Sequence, residues 1–400
     1  MRRITDAQRR ARLGAAHRLA PGARAGTVVG VAEDLIGLHG TDPASVYLAV
    51  WARTARVASE AIEDALYRAR TLMRMLGMRR TMFVVPADLA PLVQAACTDE
   101  IALRLRRNLA GTLQKAGVAA DTAGWLAGVC DATVEALAAL GSATGAELAK
   151  AEPRLAQEIT YAEGKSYGGT ARISSQTLML LSAEGRIVRG RPRGGWTSSQ
   201  FQWHLPAAWL GERPADAWAS AAQARTELAR RWLQVFGPAP VSDLQWWAGW
   251  TGGQTKAALA GLDAAEVELD SGPGVLLAGD GAEEPERPGE TWAAQPWAAL
   301  LPALDPTPMG WKERSWFLGG HGPALFDRTG NIGPTLWWEG RIVGGWAQRK
   351  DGEIVYRLLE DVGADALAVI ADQVERLGTW LGEVRVTPRF RTPLERELTG

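Results

Sequence analysis

Apolar residues recur every three or four positions over the long stretches of this chain and every second position over the short ones. The first spacing predicts amphipathic helices and the second predicts strands. Helices are expected over residues 5–37, with a break at Pro21 and Gly22, over 59–77, and over most of 87–140. Residues 78–85 have the pattern of a strand that ends at Pro86.

The most informative pattern lies between residues 146 and 204. A capped helix that begins at 144 is followed by a second helix over 170–184, which Gly185 ends. Two strands around a turn rich in Gly, Pro and Arg come next. This order is typical of a winged-helix module, in which the second helix enters a DNA groove and the hairpin, or wing, contacts phosphate. We expect Arg189, Arg191 and Arg193 to make those contacts, and Trp196 to pack the wing onto its helix.

The same order of elements recurs on both sides of this segment. Residues 215–236, 240–250 and 255–261 are predicted helices, and an acidic hairpin follows over 267–277. Its charge favours a structural or partner-facing role. Helices up to residue 77 and the strand after them fit a further copy. We therefore predict three tandem winged-helix modules over 1–110, 111–212 and 213–290.

Beyond residue 300, short strand-like runs alternate with Gly-rich turns. They predict a small antiparallel β-barrel over 291–400, closed by a helix at 363–382. Residues 279–297, rich in Pro, Gly and Glu, are the expected linker. The predicted fold class is α+β, mainly α.

Composition narrows the function classes. The 400 residues are 46% apolar and 22% charged, as in globular proteins. Two cysteines, four scattered histidines and no Walker or dinucleotide fingerprint predict no metal, no cofactor and a reducing cytoplasmic setting. No run of 18 apolar residues or signal-peptide pattern appears, so we expect no membrane association.

The net charge of −1 is not that of a simple basic nucleic-acid binder. Arginines are nevertheless concentrated in residues 68–80, 104–107 and 186–193, and local patches decide the field that a phosphate backbone meets. The 18 tryptophans fit core packing, with stacking on bases as the alternative.

A candidate reactive segment connects two predicted helices around residues 35–44. Pro43 suits the first turn of the second helix, with Thr41 or Asp42 as its N-cap. His39 would then lie at the C-terminus of the first helix, where the dipole favours the protonated imidazole. In a bent connector, His39 and Thr41 could converge and hold a water molecule. The alternative is a capping threonine and a histidine with no chemistry.

Several stretches resemble the winged-helix DNA glycosylases of the AlkZ and YcaQ type, in order and spacing, from about residue 5 to 390. They are GLHGTDP at 37–43, YLAVWAR at 47–53, MRRTMFVVP at 78–86, RGRPRGGW at 189–196, LPALDP at 301–306, GWKER at 310–314, DRTGN at 327–331 and EGRIVGGW at 339–346. The resemblance implies tandem winged helices, a small β-barrel and hydrolytic removal of alkylated bases, typically bulky N7-alkyl purines, from DNA.

The family's catalytic motif is a glutamine, any residue, then glutamine or aspartate. It corresponds here to His39, Gly40 and Thr41, so both polar positions differ. A neutral His39 could accept a proton from water, Thr41 could orient that water, and Asp42 is a candidate for the missing charge.

Further DNA contacts are expected from six other residues. Arg79, Arg80 and Thr81 are phosphate candidates beside the site, Lys312 and Arg314 are phosphate candidates, and His321 sits in a Gly-rich turn that could probe a minor groove. The expected partner is damaged duplex DNA bound by a monomer, in repair or in resistance to a genotoxin. The alternative is a non-catalytic winged-helix protein that recognises damage or regulates transcription.

Overall fold

The computed structural model describes residues 1–161, 169–211, 220–279 and 295–400, with more helix than strand. The first third of the chain contains ten elements and four short helical turns. A 3-10 turn over Pro21–Ala23 lies between α1 and α2. A π-helical turn over Asp64–Arg68 extends α4, a second over Gln94–Thr98 joins α5 to α6, and a 3-10 turn over Met78–Arg80 joins β3 to β4. The elements are β1 (Arg2–Ile4), α1 (Asp6–Ala16), α2 (Val28–Asp34), β2 (Leu38–His39), α3 (Pro43–Arg53), α4 (Ser59–Glu63), β3 (Leu72–Gly77), β4 (Thr81–Pro86), α5 (Ala90–Val93) and α6 (Asp99–Lys115).

The middle of the chain contains helices interrupted by three hairpins. Its elements are α7 (Thr122–Leu140), β5 (Ala143–Thr144), α8 (Gly145–Ala151), β6 (Glu158–Tyr161), β7 (Gly169–Arg172), α9 (Ser174–Ala183), β8 (Val188–Pro192), β9 (Phe201–His204), α10 (Pro206–Leu210), α11 (Ala221–Phe236), α12 (Val241–Ala248), α13 (Gly252–Ala260), β10 (Ala264–Leu269) and β11 (Gly272–Leu277). The last part contains β12 (Ala298–Leu301), α14 (Pro306–Met309), α15 (Ser315–Leu318), α16 (Gly322–Leu325), β13 (Thr335–Trp338), β14 (Arg341–Gln348), β15 (Ile354–Leu358), α17 (Gly363–Leu381) and α18 (Pro393–Thr399).

Two predicted helices are wrong in part. The helix expected over residues 59–77 ends at Arg68, and Leu72–Gly77 forms strand β3. Leu and Met favour helices in isolation, but here they pair along the whole length of β4, and pairing overrides local preference. The helix expected from residue 170 begins at Ser174, because Gly169–Arg172 pairs with β6.

The largest sheet joins two hairpins from different parts of the chain. Its six strands lie in the order β2-β4-β3-β8-β9-β5, so the hairpin β3–β4 meets the hairpin β8–β9 edge to edge. The contact between them is the antiparallel pair Arg74 and Arg189. A third hairpin, β10–β11, is flanked by β1 in a three-stranded sheet.

In each region predicted as a winged-helix module, helices precede an antiparallel hairpin, but the hairpins do not stand apart as free wings. β8 is paired to β3, and β10 is paired to β1. The identity of these units as tandem winged helices, and the boundaries after residues 110, 212 and 290, stay predictions.

The predicted β-barrel is wrong. The last sheet is an open meander in the order β12-β13-β14-β15, and its two outer strands do not pair with each other. Helix α17, at the position predicted for the closing helix, packs against both β12 and β15. Because a helix covers these strands, closure into a barrel is not needed to protect the sheet edges.

Most buried apolar side chains belong to one core that runs from Leu13 to Leu398. Tryptophans fill much of it, which favours core packing over base stacking for most of them. In the adjacent pairs, Trp247 and Trp337 are buried while Trp246 and Trp338 are half-buried, as expected when neighbours point to opposite faces.

Helix α7 is the one described helix whose length and composition would let it cross a membrane, with a mean hydropathy of 1.3. One of its faces is buried in a separate core with α9 and β9, through Leu126, Val129, Cys130 and Leu137. A core helix passes the same test, so this finding is weak evidence for a membrane segment.

A fully buried ion pair connects α3 to the last sheet. The Arg53 guanidinium donates from Nη1 and Nη2 to the two carboxylate oxygens of Asp305, at 2.9 and 2.6 Å. The remaining donors bind the carbonyl oxygens of His17 and Ala49 and the hydroxyl of Thr307. All five guanidinium donors therefore have acceptors, which is the condition under which a buried pair is tolerated.

We predict that Asp305→Ala lowers the free energy of unfolding by about 3–5 kcal/mol, because it leaves the Arg53 charge buried without a partner. Urea denaturation measures this change. The control is Glu353→Gln, which removes the half-exposed pair with Arg349 and should cost less than about 1 kcal/mol. Equal effects of the two substitutions would contradict the importance of the buried pair.

Candidate active site

The connector between α2 and α3 is a bent loop that contains a short strand. Helix α2 ends at Asp34, and the next backbone turn has positive φ angles at Ile36 (59°) and Gly37 (124°). A Cβ at Gly37 would lie 2.9 Å from Cγ1 of Val85, so only glycine fits. His39 therefore lies in strand β2 and not at a helix C-terminus, which corrects the sequence-based placement.

His39 is buried against the β3–β4 hairpin. It pairs with Phe83 in β4, the two rings are 5.7 Å apart, and 6% of the residue is exposed. Burial, with a smaller effect of the nearby Arg79 charge, lowers the pKa of His39 to about 3. The expected protonated imidazole is therefore wrong, and the ring is neutral. Its Nδ1 is buried with no hydrogen-bond partner among the described residues.

Asp42, and not Thr41, caps helix α3. One carboxylate oxygen of Asp42 accepts from the Ala44 N–H at 3.1 Å, and the other accepts from the Arg389 N–H at 3.0 Å. The carboxylate is thus engaged on both sides, and it also ties the loop to the C-terminal segment. Thr41 is half-buried beside it, and its hydroxyl takes no part in the cap.

The tip of the β3–β4 hairpin carries two arginines with left-handed backbone, Arg79 at φ 53° and Arg80 at φ 59°. The Arg79 guanidinium lies 3.6 Å from the ring centroid of Trp246, and Arg314 lies 4.9 Å from the same ring. Gly249, at φ 75°, lets the hairpin tip approach α12, since a Cβ at this position would lie 3.1 Å from the backbone nitrogen of Arg79. Cation–π contacts therefore hold both guanidinium groups at one surface.

A groove of about 640 Å³ opens beside this hairpin tip, between α6 and α12. Trp246 and Trp250 line it together with several polar side chains, and the described lining contains no carboxylate. Four cationic side chains face the groove, which makes its field strongly positive; these are Arg79, Arg80, Arg104 and Lys312. We call this feature the basic groove. Of the predicted DNA contacts, it brings together Arg79, Arg80 and Lys312, with Arg314 on the shared ring.

The wing arginines have different surroundings. Arg191 pairs with Glu63, and Arg193 pairs with Glu147 at 2.7 Å. Both arginines are exposed, and such pairs are weak enough to be exchanged for a phosphate. Trp196 does pack: its ring contacts those of Tyr47 in α3 and Trp380 in α17.

Two other predicted contacts lie apart from the groove lining. His321 is 3.2 Å from a carboxylate oxygen of Glu360, which also pairs with Arg341. Thr81 is the half-buried first residue of β4, directly after the hairpin tip. Neither residue is in the described lining of the basic groove.

Sequence reasoning missed three groove residues and one buried arginine. Arg104 and Asn108 on α6 and Gln245 on α12 line the groove; the arginine run at 104–107 was the available signal for the first of them. Arg74 was hidden within a predicted helix. It is 2% exposed and donates from Nη1 to the Gly40 carbonyl at 3.2 Å.

No group of histidines, cysteines and acids in the described residues could hold a metal ion. The sequence matches the model of the AlkZ-like DNA glycosylases over residues 32–380. The chain belongs to the AlkZ-like DNA glycosylase family. Membership supports a DNA glycosylase function and DNA as the binding partner.

The fold is also similar to that of an AlkZ-like protein of known structure, Streptomyces sahachiroi DNA glycosylase AlkZ. The TM-score is 0.69 at 19% sequence identity, and the match covers 95% of this chain and 98% of the other. At this identity the likeness shows the fold alone. A search of the curated proteins found no match.

We predict that the buried neutral His39 makes stability depend on pH. The pKa of His39 is lower in the folded than in the unfolded chain. Its contribution to the free energy of unfolding is therefore complete above the unfolded pKa and is lost as the pH falls below it. Between about pH 7 and about pH 5.5, the wild type should lose about 1 kcal/mol more than His39→Gln, which does not titrate. Urea denaturation at the two pH values measures it, and parallel curves would contradict the buried neutral state.

Proposed function

We propose that this protein hydrolyses the N-glycosidic bond of alkylated purines, in particular bulky N7-alkyl purines, in duplex DNA. Such an activity serves DNA repair or resistance to an alkylating genotoxin. The proposal is carried by one observation: the neutral His39 has an unpartnered buried nitrogen on a loop that neighbours Arg79 of the basic groove. Membership of the AlkZ-like family supports it.

The chemistry needs little acid catalysis, because an N7-alkylated purine carries a positive charge and leaves readily. The site must supply a positioned water and a place for the developing positive charge on the sugar. A histidine with a pKa of about 3 is a weak base. His39 therefore acts mainly as a hydrogen-bond acceptor that holds the water, and Thr41 orients it through its hydroxyl.

Asp42 contributes negative charge to the same loop. Since both of its oxygens accept backbone hydrogen bonds, we assign it the positioning of the loop and a favourable field for the cationic sugar. Its role as a substitute for the family's aspartate remains a prediction.

The proposed DNA path follows the cationic side chains. Arg79, Arg80, Lys312 and Arg314 bind phosphates along the basic groove, and the hairpin β8–β9 acts as the wing of a winged-helix module with Arg191 and Arg193. We propose one monomer per site, because the chain supplies several such units. A bulky adduct is approached from a groove and not extruded into a closed pocket.

A second candidate is a non-catalytic protein that binds damaged DNA or regulates transcription. The observation that favours it is Thr41, which stands where the family motif has glutamine or aspartate, so that no free carboxylate completes the pair with His39. Binding to alkylated duplex without release of a base would select this alternative.

We predict that the purified protein releases the modified base from duplexes with a bulky N7-alkylguanine, measured by chromatography in single turnover. His39→Ala should slow release by about 100-fold, because the water loses the acceptor that holds it in position for attack. Arg349→Gln, far along the chain on an exposed pair, is the control. An unchanged rate in His39→Ala would refute the assigned role.

We further predict that Thr41→Ala slows release and that Thr41→Asp restores or exceeds the wild-type rate, because the carboxylate adds the fixed charge of the family motif. The same single-turnover assay compares the two variants. An unchanged rate in Thr41→Ala, or a rate in Thr41→Asp no faster than that of Thr41→Ala, would contradict this role of Thr41.

A further inference from the structure

A buried arginine lies at the seam between the two hairpins of the largest sheet. Arg74 is 2% exposed, and only its Nη1 has an acceptor, the Gly40 carbonyl at 3.2 Å. Its Nε and Nη2 are buried without a hydrogen-bond partner among the described residues. A buried guanidinium with two unpartnered nitrogens lowers the stability of the fold unless another group accepts hydrogen bonds from them.

A second arginine faces the first across the seam. Arg189 in β8 is the cross-strand partner of Arg74, and its Nε is also buried without a partner among the described residues. Like charges directly opposite each other destabilise a sheet. Burial, with the charges of Arg74 and Arg389, lowers the pKa of Arg189 to about 10.

The third arginine approaches from the C-terminal segment. Arg389 is exposed, its charge acts on Arg189, and its backbone N–H binds Asp42. The cluster therefore runs from a buried member, Arg74, to an exposed one, Arg389. It adjoins the candidate loop twice, through the Gly40 carbonyl and through Asp42.

No carboxylate in the described part of the chain lies within salt-bridge distance of these three side chains. Two acids share this region: Glu63 is paired with Arg191, and Asp42 accepts only backbone N–H groups, those of Ala44 and Arg389. The other contacts are aromatic: Arg74 and Arg189 lie 4.9 and 5.5 Å from the Phe201 ring. Three guanidinium groups close together without a salt bridge among the described residues would be stabilised by a bound anion.

We propose that Arg74, Arg189 and Arg389 together bind one phosphodiester group of the DNA strand beside the loop over residues 39–42. This inference rests on the proposed function for its partner, DNA. Bidentate guanidinium donors suit phosphate oxygens, and a phosphate fixed here sets the position of the adjoining nucleotide relative to His39.

A merely structural role for the cluster makes a different prediction. If the arginines only stabilise the contact between the two hairpins, replacing them should not change how the affinity for DNA depends on the charge of any one phosphate. Arg189 and Arg389 are the informative positions, since they are less buried than Arg74 and their replacement by glutamine keeps the polar chain.

The test is a scan of one duplex in which each phosphate in turn is replaced by a neutral methylphosphonate, with affinity measured by fluorescence anisotropy. In the wild type, one position should weaken binding about tenfold, the usual worth of a charged hydrogen bond. Arg189→Gln and Arg389→Gln should lose sensitivity at that position alone, and their salt slopes should fall by about one. Arg186→Gln, beside β8 but paired with Asp131, should behave as the wild type.

Two results would overturn the proposal. One is a scan in which the variants keep the wild-type sensitivity at every phosphate. The other is a rise in the melting temperature of the wild type with inorganic phosphate, at constant ionic strength, that is as large as the rise with duplex. The site would then bind free anions and not specifically a DNA phosphate. If either result is found while the protein still releases the base, the proposed function is unaffected and only the phosphate site is refuted. If the wild type does not bind duplex DNA at all, both the proposed function and the phosphate site are refuted.

Discussion

The buried pair of Arg53 and Asp305 is the contact on which the position of the candidate loop depends. Arg53 is the last residue of α3, and the loop ends where α3 begins. Asp305 caps α14 just beyond the end of β12, so the helix α3 is fixed to the segment that leaves the last sheet. Ser45 at the other end of α3 adds a hydrogen bond of 2.6 Å to the Ala303 carbonyl. Residues distant in sequence thus hold α3 at both of its ends, and the candidate loop is attached to a helix that is fixed in place.

The second constraint is the meeting of the two hairpins. Because β3 pairs with β8, arginines from two regions are brought next to each other and to the loop, although the net charge of the chain is −1. The described lining of the basic groove contains no carboxylate, and none of the three clustered arginines forms a salt bridge among the described residues, while most other exposed arginines are paired. Charge is therefore concentrated at one region by tertiary structure and not by composition, and that concentration is what a phosphate backbone would meet.

The sequence was sufficient for elements whose signals are local. The helix α17, the hairpin β8–β9 and the cap of α3 near Pro43 all follow from periodicity and turn residues. Three features were beyond it, because each depends on a remote partner. Strand β3 needs β4 and β8, the neutral His39 needs its burial against Phe83, and the last sheet stays open because α17 covers its edges. Arg74 was missed for the first of these reasons.

We propose that the chemistry takes place on the loop over residues 39–42, and a crystal structure with DNA would test that placement most directly. The complex to solve contains a duplex with a stable abasic-site analogue, the product of base release. If His39 holds the attacking water, the abasic sugar lies one water molecule away from Nδ1 of His39. An abasic sugar bound elsewhere, with the loop over residues 39–42 facing undamaged DNA or no DNA, would contradict it.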